Sequence, residues 1–263
     1  MKKYKFFDEK GEHLHTLDNQ PLVGTSSVSS VLAKPLTWWA SGLACAKFGW
    51  INKGNAKAGW TPVADRLLKA TEGLETIKEM EPEGYLKLLD EAYSAHATKL
   101  KTSAQKGTDL HAELERYVKD MMSDNDGQTY DDKILPFIEW AQKNVKRFLW
   151  SEMYCYSEKA WVGGITDCGY EKHDGTIGIM DFKSSKEAYL SQFWQCAGYD
   201  LQISENGGFD KEGNKIFILE KPITEYAVFP FGMENPKPQF YYDMDGGRKA
   251  FEAEVLLYNM LNV

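Results

Sequence analysis

One stretch constrains the fold more than any other, the glycine-bearing segment SEMYCYSEKAWVGGITDCGYEKHDGTIGIMDFK at residues 151–183. Its apolar and polar residues alternate as they do in β-strands, and Asp174-Gly175 marks a tight turn. The segment therefore predicts three strands, of which the last two form a hairpin. Helical patterns lie before and after it, and two further predicted strands, KIFILE and TEYAVFPF, precede a closing helix. This order favours an α/β fold, with a mixed central β-sheet flanked by helices.

The first hundred residues show a different sequence pattern. KKYKFFDEKGEHLHTL predicts a small hairpin, and the segments that follow it predict helices. The helical pattern continues to KILPFIEWAQKNVKRFLW, which we interpret as one more helix before the strands begin. Nothing near residue 100 is rich in proline or serine, so we expect a change of layer there and no linker. Residues 1–100 are thus predicted as a helical N-terminal region within one compact domain, and residues 101–263 as its core.

The charge of the chain bears on its partners. A net charge of −8 argues against a protein that is held to nucleic acid by its overall charge. Residues 31–70 nevertheless contain six basic residues, one acidic residue and four tryptophans. Stacking on tryptophans beside lysines is a way to grip a single strand, so Lys34, Trp38, Trp39 and Lys47 are candidate substrate-binding residues, possible parts of an arch over DNA. The alternative is a helical subdomain whose tryptophans are core residues.

Targeting signals and cysteine pairs are missing from the sequence. The N-terminus meets charged residues before any apolar stretch of signal-peptide length, and no run is long enough to span a membrane. The four cysteines are far apart and form no C-x-x-C pair, which argues against a zinc knuckle. We therefore expect a protein with reduced thiols, located in the cytoplasm, or in the host cytoplasm if it is viral, with no membrane partner.

The end of the last predicted strand of the hairpin carries Asp181 and Lys183. An Asp-x-Lys triplet occurs three times in the chain, but only this one follows an apolar run. Residues i and i+2 of a strand face the same side, so the two side chains should project together. Strand ends of mixed sheets often carry functional groups. The alternative is an ordinary ion pair at the surface.

Asp167 is predicted to lie beside Asp181. Each of the two is seven residues from Asp174 at the predicted turn, so the hairpin pairing would bring both carboxylates side by side. Adjacent carboxylates repel each other unless a cation lies between them, and hard oxygen ligands favour Mg²⁺ or Mn²⁺. The alternative is that Asp167 caps a bulge beside Gly169.

Two helix patterns add further polar pairs. His111 and Glu115 are four residues apart and share one helix face next to an apolar stripe. Gln195 and Tyr199 also share one helix face, and the small residues between them let another group approach that helix. A solvated His–Glu pair and an ordinary packed tyrosine are the alternatives.

These segments, taken in order, resemble the RecB-like exonuclease branch of the PD-(D/E)XK nuclease superfamily. GTDLHAELE (107–115) resembles that branch's G-T-x-x-H-x-x-x-E helix, and GGITD (163–167), IMDFK (179–183) and QCAGY (195–199) resemble its G-x-x-D, D-x-K and Q-x-x-x-Y motifs. SSVSSVLAKPLTWWA is similar, more loosely, to the Ser-Val-Thr-like helix of phage and mitochondrial genome-maintenance exonucleases. The resemblance implies a restriction-endonuclease-like core.

The resemblance also implies a role for each matched residue. Asp167, Asp181, His111 and the backbone carbonyl of Phe182 would be metal ligands. Lys183 would orient the attacking water and stabilise charge on the phosphate. Glu115 would support the site, and Gln195 and Tyr199 would contact the strand that is cut.

The implied function is a Mg²⁺- or Mn²⁺-dependent DNA exonuclease that acts on single strands or DNA ends. Such enzymes serve DNA replication, recombination or repair in phages and bacteria, so replication or recombination proteins are possible partners. No cysteine follows Cys196, so we expect none of the iron–sulfur clusters that some relatives carry. A sequence-specific or structure-specific endonuclease on the same fold is the alternative, followed by a non-catalytic nucleic-acid-binding protein.

Overall fold

The computed structural model describes residues 3–9, 12–32, 37–55, 59–125 and 127–262. The chain forms two compact units, one of Met1–Ala33 with Gly107–Val263 and one of Lys34–Lys106. The N-terminal hairpin therefore belongs to the same unit as the residues after 107, whereas the sequence had placed it with the helices of residues 1–100. Its strands are β1 (Tyr4–Glu9) and β2 (Glu12–Leu17), and β3 (Gln20–Pro21) pairs with β2.

The first unit is built on a mixed sheet that has eight strands within the described residues. Its order is β11-β10-β7-β8-β9-β12-β13, and β4 pairs in parallel with β8. β9 and β12 are also parallel, and the other neighbours are antiparallel. The strands are β4 (Val23–Gly24), β7 (Val145–Ser157), β8 (Val162–Lys172), β9 (Ile177–Lys183), β10 (Gly208–Phe209), β11 (Lys215–Phe217), β12 (Glu225–Pro230) and β13 (Gln239–Tyr241).

Helices cover both faces of this sheet, as the α/β prediction required. They are α1 (Thr25–Ser29), the C-terminal part of α4 (Pro82–Met122), α5 (Leu135–Asn144), α6 (Leu190–Asn206) and α7 (Met244–Leu261). β9 shows why its sequence is a continuous apolar run. Met180 and Phe182 pack in a core with α4 and α5, whereas Ile177 and Ile179 pack in a second core with α6. A strand that is buried on both faces does not alternate in polarity.

The predicted helix KILPFIEWAQKNVKRFLW is wrong in its second half. α5 ends at Asn144, and β7 begins at Val145 and pairs with β8 from Lys172 onward. Two register shifts interrupt this ladder, between Val145 and Arg147 and between Phe148 and Trp150. Bulges break the two-residue alternation by which a strand is recognised in a sequence, so the first part of β7 has no regular strand pattern.

The second unit contains α2 (Thr37–Ala46), the short strands β5 (Gly54–Asn55) and β6 (Gly59–Trp60), α3 (Val63–Lys78) and the beginning of α4. α4 continues through Gly107 without a break, over 41 residues. The turn after α2 lies close to α3, because a Cβ on Gly73 would be 2.5 Å from the carbonyl oxygen of Phe48. This unit leaves large apolar side chains in solvent, among them Trp38, which is 90% exposed.

Candidate active site

The β8–β9 hairpin brings Asp167 and Asp181 together. The ladder pairs Gly169 with Ile179 and Cys168 with Met180, so the next position in the same register sets Asp167 against Asp181. The backbone N–H of Phe182 donates a hydrogen bond of 2.6 Å to Asp167 Oδ2. The hairpin that the sequence predicts is therefore confirmed, including its register.

Lys183 projects to the same side as Asp181. Its Nζ lies 2.7 Å from Asp181 Oδ1, to which it donates a hydrogen bond, and 2.6 Å from Oδ2. The second contact lacks hydrogen-bond geometry, so Asp181 Oδ2 is a buried oxygen without a hydrogen bond among the described residues. The Asp181 side chain is almost fully buried and that of Lys183 is one-quarter exposed. The ion pair is thus held at the edge of the core and does not lie free in solvent.

The two carboxyl groups have opposite pKa shifts. Burial and the nearby charge of Asp167 raise the pKa of Asp181 to about 6, against the charge of Lys183, which lowers it. Burial also raises the pKa of Asp167, but the hydrogen bond and charge of His111, together with Lys183, outweigh it and hold this pKa below its usual value. Two carboxylates that share one site repel each other and cannot both ionise freely unless a cation lies between them.

His111 of α4 reaches the same place from the neighbouring layer. Its Nδ1 lies 2.8 Å from the carbonyl oxygen of Gly107, one helical turn earlier, and its Nε2 lies 3.5 Å from Asp167 Oδ2. A carbonyl oxygen can only accept, so Nδ1 carries a proton, and Nε2 faces the Asp167 carboxylate. Burial lowers the pKa of His111, but the hydrogen bond and charge of Asp167 raise it to about 9.

Glu115 lies one turn further along α4 and forms an ion pair with Lys119. It is within electrostatic reach of Glu152, a residue that sequence reasoning missed. Glu152 lies on β7 between Ser151 and Met153, which pair with Cys168 and Thr166, so it is opposite Asp167 in the ladder.

Two features of Glu152 are energetically unfavourable in the folded protein. Its φ of 46° is in the left-handed region, which is unfavourable for a residue with a Cβ. Burial raises its pKa, and the charges of Glu115 and Asp167 raise it further. Strained residues concentrate at functional sites. No feature of the sequence marks a positive φ at a glutamate, so only its place opposite Asp167 identifies Glu152.

Gln195 and Tyr199 occupy α6 behind the hairpin. The Gln195 Nε2 donates to the Tyr199 hydroxyl over 2.8 Å, and both side chains are buried. Tyr199 packs against the bare Cα of Gly164, where an added Cβ would be 2.7 Å from its ring. Because both side chains are buried, the strand that is cut could contact this pair only through the cavity that Tyr199 lines.

The candidate strand-binding residues lie in the second unit. Lys34 is outside the described residues. Trp38 is 90% exposed and Trp39 is 38% exposed, so neither is a core residue of this unit. Lys47 forms an exposed ion pair of 2.9 Å with Glu91.

The candidate ligand atoms are of the chemical types that a hard divalent cation binds. His111 Nε2, the Asp167 carboxylate and the buried Oδ2 of Asp181 are ligands that Mg²⁺ or Mn²⁺ accepts. As the side chains stand, no group of three or more His, Cys, Asp or Glu residues within the described ranges is placed to hold a metal ion. Lys183 holds the Asp181 carboxylate, so binding of a cation would require Asp181 to turn from Lys183.

Comparison with models of known protein families gives no match. Comparison with curated protein sequences gives none either. The geometry of the site therefore carries the functional argument alone. In the part of the chain that is described, no helix is long and apolar enough to cross a membrane.

Proposed function

We propose that the chain is a metal-dependent nuclease that hydrolyses phosphodiester bonds of DNA. One observation carries this proposal: four side chains from three elements converge at one end of the β8–β9 hairpin. They are the His111 imidazole, the two carboxylates of Asp167 and Asp181, and the Lys183 ammonium group. A structural ion pair at a strand end needs only Asp181 and Lys183, and it explains neither the second buried carboxylate nor the histidine.

The proposed ligands are His111 Nε2, Asp167, Asp181 and the carbonyl oxygen of Phe182. The hydrogen bond between His111 Nδ1 and Gly107 fixes the ring so that Nε2 faces Asp167, an arrangement typical of metal-binding histidines. The chemistry that Mg²⁺ or Mn²⁺ supplies when bound is a lower pKa for the attacking water and an offset of negative charge at phosphorus.

Lys183 supplies a positive charge at the same place. Burial lowers its pKa, but the charges of Asp181 and Asp167 outweigh burial and raise the pKa above its usual value, so the amine stays protonated. A protonated lysine suits a phosphate group as a point charge. We propose that Lys183 contacts the phosphate to be cut and positions the attacking water.

The second unit supports a preference for single strands or DNA ends. Trp38 and Trp60 are 90% and 65% exposed, and lysines accompany them in the sequence. Exposed aromatic rings beside basic residues bind unpaired bases by stacking, without sequence preference. We therefore propose exonuclease action, with an endonuclease on the same fold as the second candidate.

The test incubates labelled single-stranded and double-stranded DNA, linear and circular, with Mg²⁺, Mn²⁺ or a chelator. We expect wild-type protein to degrade linear DNA only when a metal is present. Lys183→Ala and Asp181→Ala should lose this activity. Lys186→Ala is the matched control, since Lys186 is an exposed lysine three positions further along the chain. It should cut as wild type does.

The substrates separate the candidates. Loss of linear DNA with intact circles supports an exonuclease, whereas discrete fragments from circles support an endonuclease. Binding of DNA without any cleavage would leave the non-catalytic alternative. Cleavage that persists in chelator, or in both site variants, would refute the assignment of the site.

A further inference from the structure

A groove of about 300 Å³ lies in the first unit, between residues 216–221 and residues 147–149 at the beginning of β7. Glu171 and Ile177 also line it. β9 begins at Ile177 and ends at Lys183. A strand rises about 3.3 Å per residue, so the groove is about 20 Å from the candidate active site. The groove therefore lies at the other end of the strand, and the proposed function does not use it.

One wall of the groove is the segment KIFILE, which the sequence marks as a strand but which is a strand only as far as Phe217. Its residues Ile216 and Ile218 are 58% and 71% exposed, and both line the groove. Phe217, between them, packs instead against the core that β9 forms with α6. The segment is thus held to the core by one side and presents two isoleucines to the groove. Large apolar side chains that are exposed together mark a binding surface.

The main chain of the same segment can still form hydrogen bonds. β11 is an edge strand, because within the described residues β10 is its neighbour on one side and no strand lies on the other. Among these residues the backbone groups of Leu219, Glu220 and Lys221 also have no hydrogen-bond partner. Free N–H and C=O groups at a sheet edge are the groups with which an extended peptide pairs.

The other feature of the groove is a cluster of basic side chains around Glu171. The Glu171 side chain is buried, and its carboxylate lies 2.7 Å from Arg147 Nε, 3.6 Å from Lys146 Nζ and 3.8 Å from Lys221 Nζ. Each of the three basic side chains is more than half exposed. The hydrogen bond from Arg147, together with the three positive charges, holds the pKa of Glu171 below its usual value, so the carboxylate is ionised.

The groove therefore presents mainly positive charge to solvent. Glu220 is the other carboxylate that lines it, so three basic side chains outnumber two acidic ones. The chain as a whole has a net charge of −8. An anionic partner is thus attracted to this place and repelled by much of the remaining surface.

An acidic peptide fits these features better than a nucleic acid does. The exposed side chains beside the basic cluster are the isoleucines Ile216 and Ile218, whereas unpaired bases bind by stacking on aromatic rings. Apolar side chains of a peptide can enter the groove while its carboxylates meet the cations. Its main chain can pair with the free backbone groups of residues 219–221.

We propose that this groove binds an extended peptide of a partner protein, in which acidic residues alternate with apolar ones. The apolar side chains lie against Ile216 and Ile218, and the carboxylates contact Lys146, Arg147 and Lys221. This inference goes beyond the proposed nuclease function and does not depend on it. A partner that is held about 20 Å from Lys183 leaves the candidate active site open to its substrate.

The test uses short fluorescein-labelled peptides and follows their anisotropy. The first peptide alternates aspartate and isoleucine, the second has serine in place of isoleucine, and the third has lysine in place of aspartate. Lys221→Glu reverses one charge of the cluster, and Ile218→Ser removes an apolar contact while it keeps all three cations. The matched controls are Lys249→Glu and Leu256→Ser, since both residues are exposed on α7 and do not line the groove. Urea unfolding checks that each variant retains the fold.

We expect the aspartate–isoleucine peptide to bind wild-type protein more tightly than the other two peptides do, and to bind less tightly as salt is added. Lys221→Glu should weaken this binding about tenfold, which corresponds to about 1.4 kcal/mol. Ile218→Ser should weaken it severalfold, so the result stands even if Lys221→Glu does not fold. Lys249→Glu and Leu256→Ser should bind as wild type does.

The proposal is overturned if the aspartate–isoleucine peptide does not bind, if the three peptides bind alike, or if the groove variants bind no more weakly than their controls. Two further results would assign the groove to another occupant and overturn the proposal as well. One is displacement of the peptide by a single-stranded oligonucleotide whose own binding Lys221→Glu weakens. The other is a wild-type dimer in sedimentation that Lys221→Glu dissociates.

Cleavage of DNA in Mg²⁺ is a separate measurement on the same proteins. Lys221→Glu and Ile218→Ser should cut linear DNA as wild type does, because the groove is remote from Lys183. Wild-type protein that cuts DNA but binds no peptide refutes only the groove. Wild-type protein that binds the peptide through the groove and cuts nothing refutes only the nuclease assignment.

Discussion

Glu254 should make the stability of the fold depend on pH in a way that one substitution removes. This residue of α7 is 2% exposed, its Oε2 accepts a hydrogen bond of 3.2 Å from the Ser29 hydroxyl, and its Oε1 has no partner among the described residues. Burial raises its pKa from 4.5 to about 7, although the bond from Ser29 lowers it. Ionised Glu254 is therefore less stable in the folded protein than in the unfolded chain.

The direction of the pH dependence follows from the raised pKa of Glu254. The folded protein binds the proton more tightly than the unfolded chain, so the free energy of unfolding falls as the pH rises from 4.5 to about 7. Between these two pKa values each pH unit is worth about 1.36 kcal/mol, which gives an upper limit of roughly 3 kcal/mol. Because the Ser29 hydrogen bond offsets part of the cost of burying the charge, we expect about 2 kcal/mol.

Glu254→Gln removes the titration. The buried amide has its own cost, but that cost is the same at every pH. The difference in unfolding free energy between Glu254→Gln and wild type should therefore rise by about 2 kcal/mol between pH 4 and pH 8, in favour of the variant.

Equilibrium unfolding in urea at several pH values measures this difference. Glu252→Gln is the control, since Glu252 is an exposed residue of the same helix and should follow wild type throughout. Curves for Glu254→Gln and wild type that stay parallel from pH 4 to pH 8 would refute the reasoning.

Three further substitutions test other parts of the structure. Glu152→Gly should raise the free energy of unfolding by about 1 kcal/mol, because glycine adopts a positive φ without strain, and it should weaken cleavage. An unchanged or lower free energy of unfolding would show that the backbone at Glu152 is not strained. Gly164→Ala should lower the free energy of unfolding by about 2 kcal/mol, because the new Cβ meets the Tyr199 ring. An unchanged free energy of unfolding would show that Gly164 packs loosely against Tyr199. Arg248→Ala should lower the free energy of unfolding by about 2 kcal/mol, because it leaves the buried Asp200 carboxylate without its cation; an unchanged free energy of unfolding would show that this ion pair does not support the fold.

Local sequence was sufficient for the hairpin. Asp174-Gly175 marks a tight turn, the Lys172 N–H bonds to the Thr176 carbonyl across it, and the strands on either side then pair in the predicted register. Because a tight turn leaves little freedom to slip, the approach of Asp167 to Asp181 could be predicted from counting residues. Asp181 and Lys183 are two residues apart on one strand, so their projection to the same side of the sheet could also be predicted from their spacing.

The boundary between α5 and β7 could not be predicted in this way. The residues after Asn144 continue an apolar pattern that fits a helix, and the strand that forms there is interrupted by register shifts. What makes this segment a strand is the pairing with β8, whose residues lie far along the chain. Tertiary pairing overrides local preference where the local signal is weak.

The chain's own pattern thus determines the α/β class, the β8–β9 hairpin and the shared side of Asp181 and Lys183, because each depends on turns and periodicity within a few residues. Only the tertiary structure brings His111 to Asp167, places Glu152 opposite Asp167 in a left-handed conformation, and closes a cavity between β2, α1 and Tyr199. These contacts join residues distant in sequence, and they depend on how whole layers pack on the sheet, which local patterns do not contain.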